Sequence, residues 1–505
     1  MVDFRLFLIT IFGISLSQII ASIHVYFANY QLLEKVKCLK TNSYLVIPNI
    51  HVLPNLERLD TAFFGGLFFS GTIGLGIVGI CYFLSWFWII KSQKNKWVLG
   101  CIVLQWLLIL YQANANGWSS FNLYLLILAP VMFIFSCVVP FPSKKLKNHS
   151  FLFWSIPVIF LALSIVLTGR SISFISIRDH LLLSNTIGNK INDFYYKYTL
   201  YPSEIIKPYA LRQQKTCCII LQEDENITKT LDQNYKEIKK QCITFDYLII
   251  SDPNIADLIL VIDRENIHFK YKEKIIIKSN VSKLLKNAKS IFLEYSKLTD
   301  NNNLFRYCIF ISLIFGSPIL LYIIFMNIAF WAMQILTIKD IFREGILLCM
   351  ICLGLYLLIM QIPPKIDAII TLKDWQNLLQ EASMENDWKQ GIALLKKGHK
   401  FQTEKSNQIV SDWLKHTNSP ALKYWLIRFF SKRPGNDISS LFYDNLVGQQ
   451  VNVICQALYI LGRQGDRRAI PSIMEIVNTS PHWYIQMYGY RALKKLGWRN
   501  IPASN

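Results

Sequence analysis

The neighbouring residues Asp179 and His180 are the first side chains in this sequence whose types could do chemistry. An acid that orients an imidazole is a common arrangement in general acid–base catalysis. Adjacent residues on a helix do not face each other, however, so a solvated or helix-capping pair is the simpler interpretation. Asp193 follows in the same segment and would complete a site only if folding brought the three together. The sequence therefore assigns no catalytic residue.

Metal and cofactor motifs are absent from the sequence. Asp252, Asp257 and Asp263 could coordinate a cation, but their spacing does not match a calcium loop. No CxxC motif has a matching second pair, as a structural zinc site would need. No glycine-rich phosphate loop follows a predicted strand. We therefore expect no metal and no cofactor.

Long uncharged stretches determine the fold class. The chain has 505 residues, of which 52% are hydrophobic and 17% charged, whereas soluble domains carry about 25% charged residues. A membrane span needs about 20 apolar residues. Seven windows qualify or nearly qualify: Phe7–Phe27, Ala62–Ile90, Trp97–Tyr111, Phe121–Val139, Phe151–Leu167, Tyr307–Ala329 and Ile346–Ile362.

These windows divide the chain into four predicted domains. Residues 1–168 form a five-span membrane bundle, and residues 169–303 form an aromatic segment followed by a small α/β domain. Residues 304–362 add two spans, and residues 363–505 form a helical repeat domain. The predicted fold class is a polytopic α-helical membrane protein with a small α/β extramembrane domain and a C-terminal α-solenoid.

Short basic loops predict the orientation of the spans. Lysine and arginine accumulate in cytoplasmic loops, and three short loops carry them: Lys91, Lys94 and Lys96; Lys144, Lys145 and Lys147; Lys339 and Arg343. The N-terminus is then cytoplasmic, in what we expect to be a prokaryotic inner membrane. Residues 28–61, residues 169–303 and the C-terminal domain lie outside the cytoplasm, where the two soluble portions could touch. One miscounted span would move the C-terminal domain inside.

Small residues in the second span predict close helix packing. Gly66, Ser70 and Gly74 fall at positions i, i+4 and i+8, on one helix face. Small side chains there allow another helix to approach closely. Packing within the bundle is the favoured interpretation, and a homodimer face or a lipid groove is the alternative.

The predicted extracytoplasmic segment has two halves. Five aromatic residues within Phe194–Tyr201 suit a segment at the membrane–water boundary. The second half alternates strands and helices: Thr216–Gln222, Ile227–Gln241, Phe245–Ser251, Leu258–Asp263, His268–Lys278 and Val281–Leu298. In an oxidising compartment, Cys217 or Cys218 could pair with Cys242, with free thiols as the alternative.

The C-terminal region contains an internal repeat. The sequence Ala-Leu-Tyr-Ile-Leu-Gly at 457–462 returns as Ala-Leu-Lys-Lys-Leu-Gly at 492–497, with Gly-Asp-Arg-Arg-Ala-Ile-Pro at 465–471 between them. A period of this size is typical of stacked helix pairs. Over roughly Val451–Trp498 the sequence resembles the HEAT-like repeats also found in phycobilisome lyase proteins. The resemblance implies an α-solenoid that binds proteins, without lyase chemistry.

Basic and aromatic residues in the repeats form the predicted partner or anion site. They are Arg463, Arg467, Arg468, Trp483, Arg491, Lys494 and Lys495. Clustered cations would hold an acidic partner or lipid head groups, whereas a solvated face is the alternative. Trp483 is either an exposed contact residue or a filler between repeats.

Three functions remain after these observations. The favoured one is a membrane-embedded scaffold or assembly protein that recruits protein partners through its α/β and HEAT-like domains. The second is a channel or a subunit of a lipid or solute transport complex, and the third is a membrane enzyme acting on lipid or envelope polymer. Membrane lipids and a protein are the expected partners, and a homo-oligomer is compatible with the sequence. The net charge of +20 does not indicate nucleic acid, because no basic stripe stands apart from the spans.

Overall fold

The computed structural model describes residues 4–139, 175, 178–221, 229–263, 266–313, 371–398, 401–432 and 442–501. In these residues the protein is mostly helical, with one small sheet. Three parts can be distinguished: a group of apolar helices, a sheet domain and a group of C-terminal helices.

The apolar group consists of α1 (Phe4–Thr41), α2 (Leu59–Phe69), α3 (Leu75–Trp86), α4 (Lys96–Ala113) and α5 (Ala129–Val138). A π-helical turn joins α2 to α3. Three stretches are long and apolar enough to cross a membrane, namely Leu8–Thr41, Leu59–Lys91 and Lys96–Ala113, and Tyr124–Val138 is apolar but shorter. This composition is compatible with an integral membrane protein.

The remaining predicted spans are described only in small part. The predicted spans Phe151–Leu167 and Ile346–Ile362 lie outside the described residues. The predicted span Tyr307–Ala329 is described only at its start, within a helix that covers Asn303–Ile311.

Helix α1 differs from the prediction, which ended the first span at Phe27. The helix continues to Thr41, so at 1.5 Å per residue it is about 57 Å long, against about 30 Å for a bilayer core. Its last turns bury Leu33 against the C-terminal helices, and Val36 and Leu39 against the sheet domain. The extension is helical because its apolar residues recur at helical spacing and have surfaces to cover.

The sheet domain follows two helices, α6 (Thr186–Tyr198) and α7 (Leu200–Ile206). Its elements are β1 (Lys215–Leu221), α8 (Lys229–Thr244), β2 (Tyr247–Ile249), β3 (Leu258–Asp263), β4 (Asn266–Tyr271), β5 (Lys274–Asn280) and α9 (Val281–Leu298). The strand order is β2-β1-β3-β4-β5, with β2, β1 and β3 parallel and the last two strands antiparallel. The small sheet domain is thus confirmed. The Asn303–Ile311 helix is α10.

The C-terminal helices form two layers. They are α11 (Leu372–Met384), α12 (Trp388–Lys397), α13 (Glu404–His416), α14 (Pro420–Phe429), α15 (Val451–Gln464), α16 (Ile470–Thr479) and α17 (Trp483–Lys495). Helices α12, α14, α15 and α17 contact one another in succession and are called the inner row below. Helices α11, α13 and α16 each pack against a member of that row.

Candidate functional sites

A half-buried charged junction joins α1, the sheet domain and the C-terminal helices. Lys35 of α1 forms an ion pair with Asp257. Asp246 accepts a hydrogen bond from the Tyr490 hydroxyl at 2.7 Å and pairs with Lys494 at 2.9 Å, both on α17. These contacts join the three parts into one assembly near the C-terminal end of α1.

The segment after α1 adds backbone hydrogen bonds to this junction. The Leu45 amide donates to Asn500 Oδ1, and the Leu45 carbonyl accepts from the amides of Asn500 and Gln214. The Asn49 amide donates to Gln486 Oε1 at 2.9 Å. Because these polar groups are paired, the segment holds the sheet domain and the C-terminal helices in a fixed relation.

The surroundings at the junction shift the pKa values of two side chains, Lys215 and Asp257. Burial lowers the pKa of Lys215 to about 8, although Asp246 and Asp257 act in the opposite direction. Its ammonium lies 4.3 Å from the centre of the Tyr247 ring. Burial alone would raise the pKa of Asp257, but the Lys35 ammonium and hydrogen bonds from Thr216 bring it below its usual range.

Asp179 is fully buried at the inner row. Its carboxylate pairs with Arg178 at 2.6 Å and with Lys396 of α12 at 3.4 Å, and it accepts a hydrogen bond from the indole of Trp425 at 2.8 Å. The Arg178 guanidinium lies over the Tyr424 ring, 3.8 Å from its centre. Asp179 is thus an acid held by cations and aromatic rings on α12 and α14.

Asp193 has different surroundings. It lies beside His482 in a cleft of about 330 Å³ at the ends of α15, α16 and α17. Asp179 and Asp193 therefore contact different helices, and Asp179 is neutralised by its own neighbours. Among the residues described, no group of three or more His, Cys, Asp and Glu side chains could hold a metal ion.

Some of the predicted partner residues form a strip of tyrosines and cations on α15 and α17. Lys495 and Arg463 lie over the Tyr459 ring, at 4.4 and 5.9 Å from its centre. Arg491 lies 5.8 Å from the centre of the Tyr488 ring, and the three cations have no carboxylate within 4 Å in the described part of the chain. We call Tyr459, Arg463, Tyr488, Arg491 and Lys495 the cation–tyrosine strip.

Other residues of the predicted partner site have internal roles. Trp483 is 2% exposed and donates to the Tyr196 carbonyl, so it fills a seam and is not an exposed contact residue. Lys494 pairs with Asp246, and Arg467 donates to the Leu496 carbonyl. Arg468 pairs with Asp466, which caps the turn before α16.

The glycine-containing face of the second span lies against α1. A Cβ at Gly66 would crowd the α1 backbone at Ser22, and one at Gly74 would overlap the Ser17 hydroxyl. Ser70 donates to Gln18 Oε1 at 2.5 Å. These contacts bring α1 and α2 close together at the small residues.

His24 is a buried polar residue that the sequence reading did not identify. Its Nε2 lies 2.9 Å from the Tyr201 hydroxyl and its Nδ1 3.4 Å from that of Tyr124, and the rings of Phe69 and Phe305 pack around it. Both ring nitrogens have partners, so the imidazole links α1, the fourth apolar segment and α7. Its aromatic partners are distant in sequence, and only its position in an apolar helix could have indicated a special role.

Comparison with known proteins adds no relative. No protein-family model, no curated protein and no solved structure matches this chain. Its function is therefore inferred from the contacts described above.

Proposed function

We propose that this protein is a membrane-embedded scaffold that recruits an acidic segment of a protein partner to the cation–tyrosine strip. In this proposal the chain crosses the membrane seven times, and α11–α17 form a HEAT-like solenoid whose inner row carries the binding face. Tyrosine and arginine are enriched among the residues that dominate protein interfaces.

The main support for the proposal is that Asp179 of this chain already binds to the inner row. Asp179 is an acid of this chain, held by Lys396, Arg178 and Trp425 at one end of the inner row. The strip lies on the other end, on α15 and α17, with the same pairing of cations and aromatic rings. A carboxylate of a partner protein would find at the strip the same kinds of side chain, cations beside aromatic rings, that bind Asp179 on α12 and α14.

The inner row is continuous from one end to the other, because α14 contacts both α12 and α15, and α15 contacts α17. Tyr424 of α14 has Arg178 over its ring, and Tyr488 of α17 has Arg491 beside its ring. An acidic partner segment at the strip would extend along the row toward the site of Asp179.

The proposed orientation places both soluble parts outside the cytoplasm. Support for a shared compartment comes from the Asp246–Tyr490 and Asp246–Lys494 contacts, which need the sheet domain and α17 on one side of the membrane. Charge in the short loops supports the extracytoplasmic side.

A partner pull-down in mild detergent tests the proposal. The double variant Arg463→Glu/Lys495→Glu reverses two charges of the strip, and Lys405→Glu on α13 is the matched surface control. We expect a stoichiometric partner with the wild type and the control, and a loss of at least about tenfold with the double variant, as buried charge pairs at interfaces give. Equal recovery with all three proteins, or a partner without an acidic segment at the contact, contradicts the proposal.

The transport alternative would use the glycine-rich second span and the basic outer surface. Gly66 and Gly74 lie against α1, so these two residues have a packing role that needs no transported species. No second function is proposed on their account.

A further inference from the structure

Helix α6 has an exposed apolar face. Ile187 and Ile191 are 73% and 54% exposed, and Phe194 and Tyr195 continue the same side of the helix. These residues recur at positions i, i+4, i+7 and i+8, the spacing of one helical face. Four large apolar side chains side by side are more than the scattered exposure of an ordinary soluble surface.

The opposite face of α6 is fixed to the C-terminal helices. Asn192 donates to Asn452 Oδ1 at 2.9 Å, and the Tyr196 ring stacks on Tyr484 with centres 4.3 Å apart. The indole of Trp483 donates to the Tyr196 carbonyl. The apolar face therefore cannot turn inward without breaking these contacts.

The apolar face is continuous with the outer surface of the second candidate span. Phe194 and Tyr198 pack on Phe64 of α2, with ring centres 5.2 and 4.8 Å apart. On the same helix Phe63 and Leu67 are exposed, as expected of side chains that face lipid tails. A bilayer that covers these α2 residues reaches α6 at its boundary.

Cations flank the apolar face. Lys190 and Lys197, seven residues apart, are both exposed and lie along one line of the helix. A helix with an apolar face, lysines beside it and aromatic rings at one end is suited to lie in the plane of a membrane surface. We infer that α6 is an interfacial helix that inserts Ile187 and Ile191 between lipid tails and directs Lys190 and Lys197 to phospholipid phosphates.

This inference depends on the membrane embedding of α1 and α2 and is independent of the protein partner. It couples the lipid surface to the C-terminal helices, because α6 contacts lipid with one face and Asn452 and Tyr484 with the other.

Photo-crosslinking in the full-length protein tests the lipid contact. The photoreactive residue p-benzoylphenylalanine replaces Ile187 or Ile191, and in the control protein it replaces Asp193, which faces the cleft beside His482. All three positions are exposed or half-exposed, so the fold should persist. Native membranes are illuminated, and peptides that contain α6 are analysed by mass spectrometry for added phospholipid mass.

We expect phospholipid adducts at positions 187 and 191 that exceed those at position 193 by about tenfold or more, since only the apolar face enters the bilayer. Adducts to another protein or to another segment of this chain at 187 and 191 would overturn the inference, and so would equal lipid labelling at all three positions. If partner binding failed while the lipid adducts formed as expected, the scaffold function would be contradicted and the interfacial role of α6 would be retained.

Discussion

Replacement of Asp179 by asparagine removes the charge at the inner row and leaves its shape almost unchanged. Asparagine still offers an oxygen to the Trp425 indole, but Lys396 and Arg178 lose their carboxylate. Burial lowers the pKa of Lys396, and Asp179 counteracts this effect. The variant Asp179→Asn therefore leaves a partly buried ammonium without its counter-charge.

The expected loss of stability follows from the burial of the ion pairs that Asp179 forms. Asp179 is 0% exposed, and removing one partner of a buried ion pair costs about 3 kcal/mol or more. If the cost falls on local opening of α12 and α14, their amides should exchange hydrogen about 100-fold faster, since 1.4 kcal/mol corresponds to about tenfold. Hydrogen exchange with mass spectrometry on the full-length protein in detergent measures this directly.

Two further variants make the result interpretable. Asp193→Asn is the same substitution at a half-buried acid in the cleft at the ends of α15, α16 and α17, beside His482, and it should leave the exchange of α12 and α14 unchanged. Asp179→Asn/Lys396→Met removes the unpaired ammonium and should recover at least half of the lost protection. Exchange within about threefold of the wild type for Asp179→Asn would show that the buried charges do not hold the row together.

The remaining predictions concern packing, protonation and topology. Gly74→Ala should lower the stability of the detergent-solubilised protein by about 1–3 kcal/mol through overpacking, whereas Gly71→Ala, which meets open space, should be neutral in the same melting assay. Burial lowers the pKa of Lys215 to about 8, so the folded protein binds fewer protons than the unfolded one between about pH 8 and 10.4, and its stability should rise with pH there. Lys215→Met should remove this rise in urea unfolding of the full chain; an unchanged slope would contradict the assignment. Tyr490→Phe deletes a buried hydrogen bond to a carboxylate and should cost about 1.5–3 kcal/mol, against almost none for Tyr271→Phe. Protease added to sealed vesicles should cut both soluble parts from the same side, and cleavage from opposite sides would refute their contact.

Hydropathy and local periodicity predicted the elements that depend on neighbours in sequence. The strand Leu258–Asp263 and the helix Val281–Leu298 have the predicted bounds, because a buried strand and an amphipathic helix carry their own patterns. Three of the predicted spans correspond to helices long and apolar enough to cross a membrane.

Features that depend on distant partners were not predictable in the same way. The sequence pattern ended the first span at Phe27, because the surfaces that bury Leu33 and Val36 come from distant parts of the chain. The sequence contains Asp179, but its partners Lys396 and Trp425 lie more than 200 residues away. Single-sequence patterns contain no information on such pairings.

The continuity of α1 has a mechanical consequence. When one end of an unbroken helix tilts, the other end moves with it. The part of α1 beyond Phe27 is 14 residues, or about 21 Å, long. When a thinner bilayer tilts the span by about 10°, the far end of α1 moves sideways by about 4 Å. Because Lys35 forms an ion pair with Asp257 of the sheet domain near that end, such a tilt would displace the sheet domain as well.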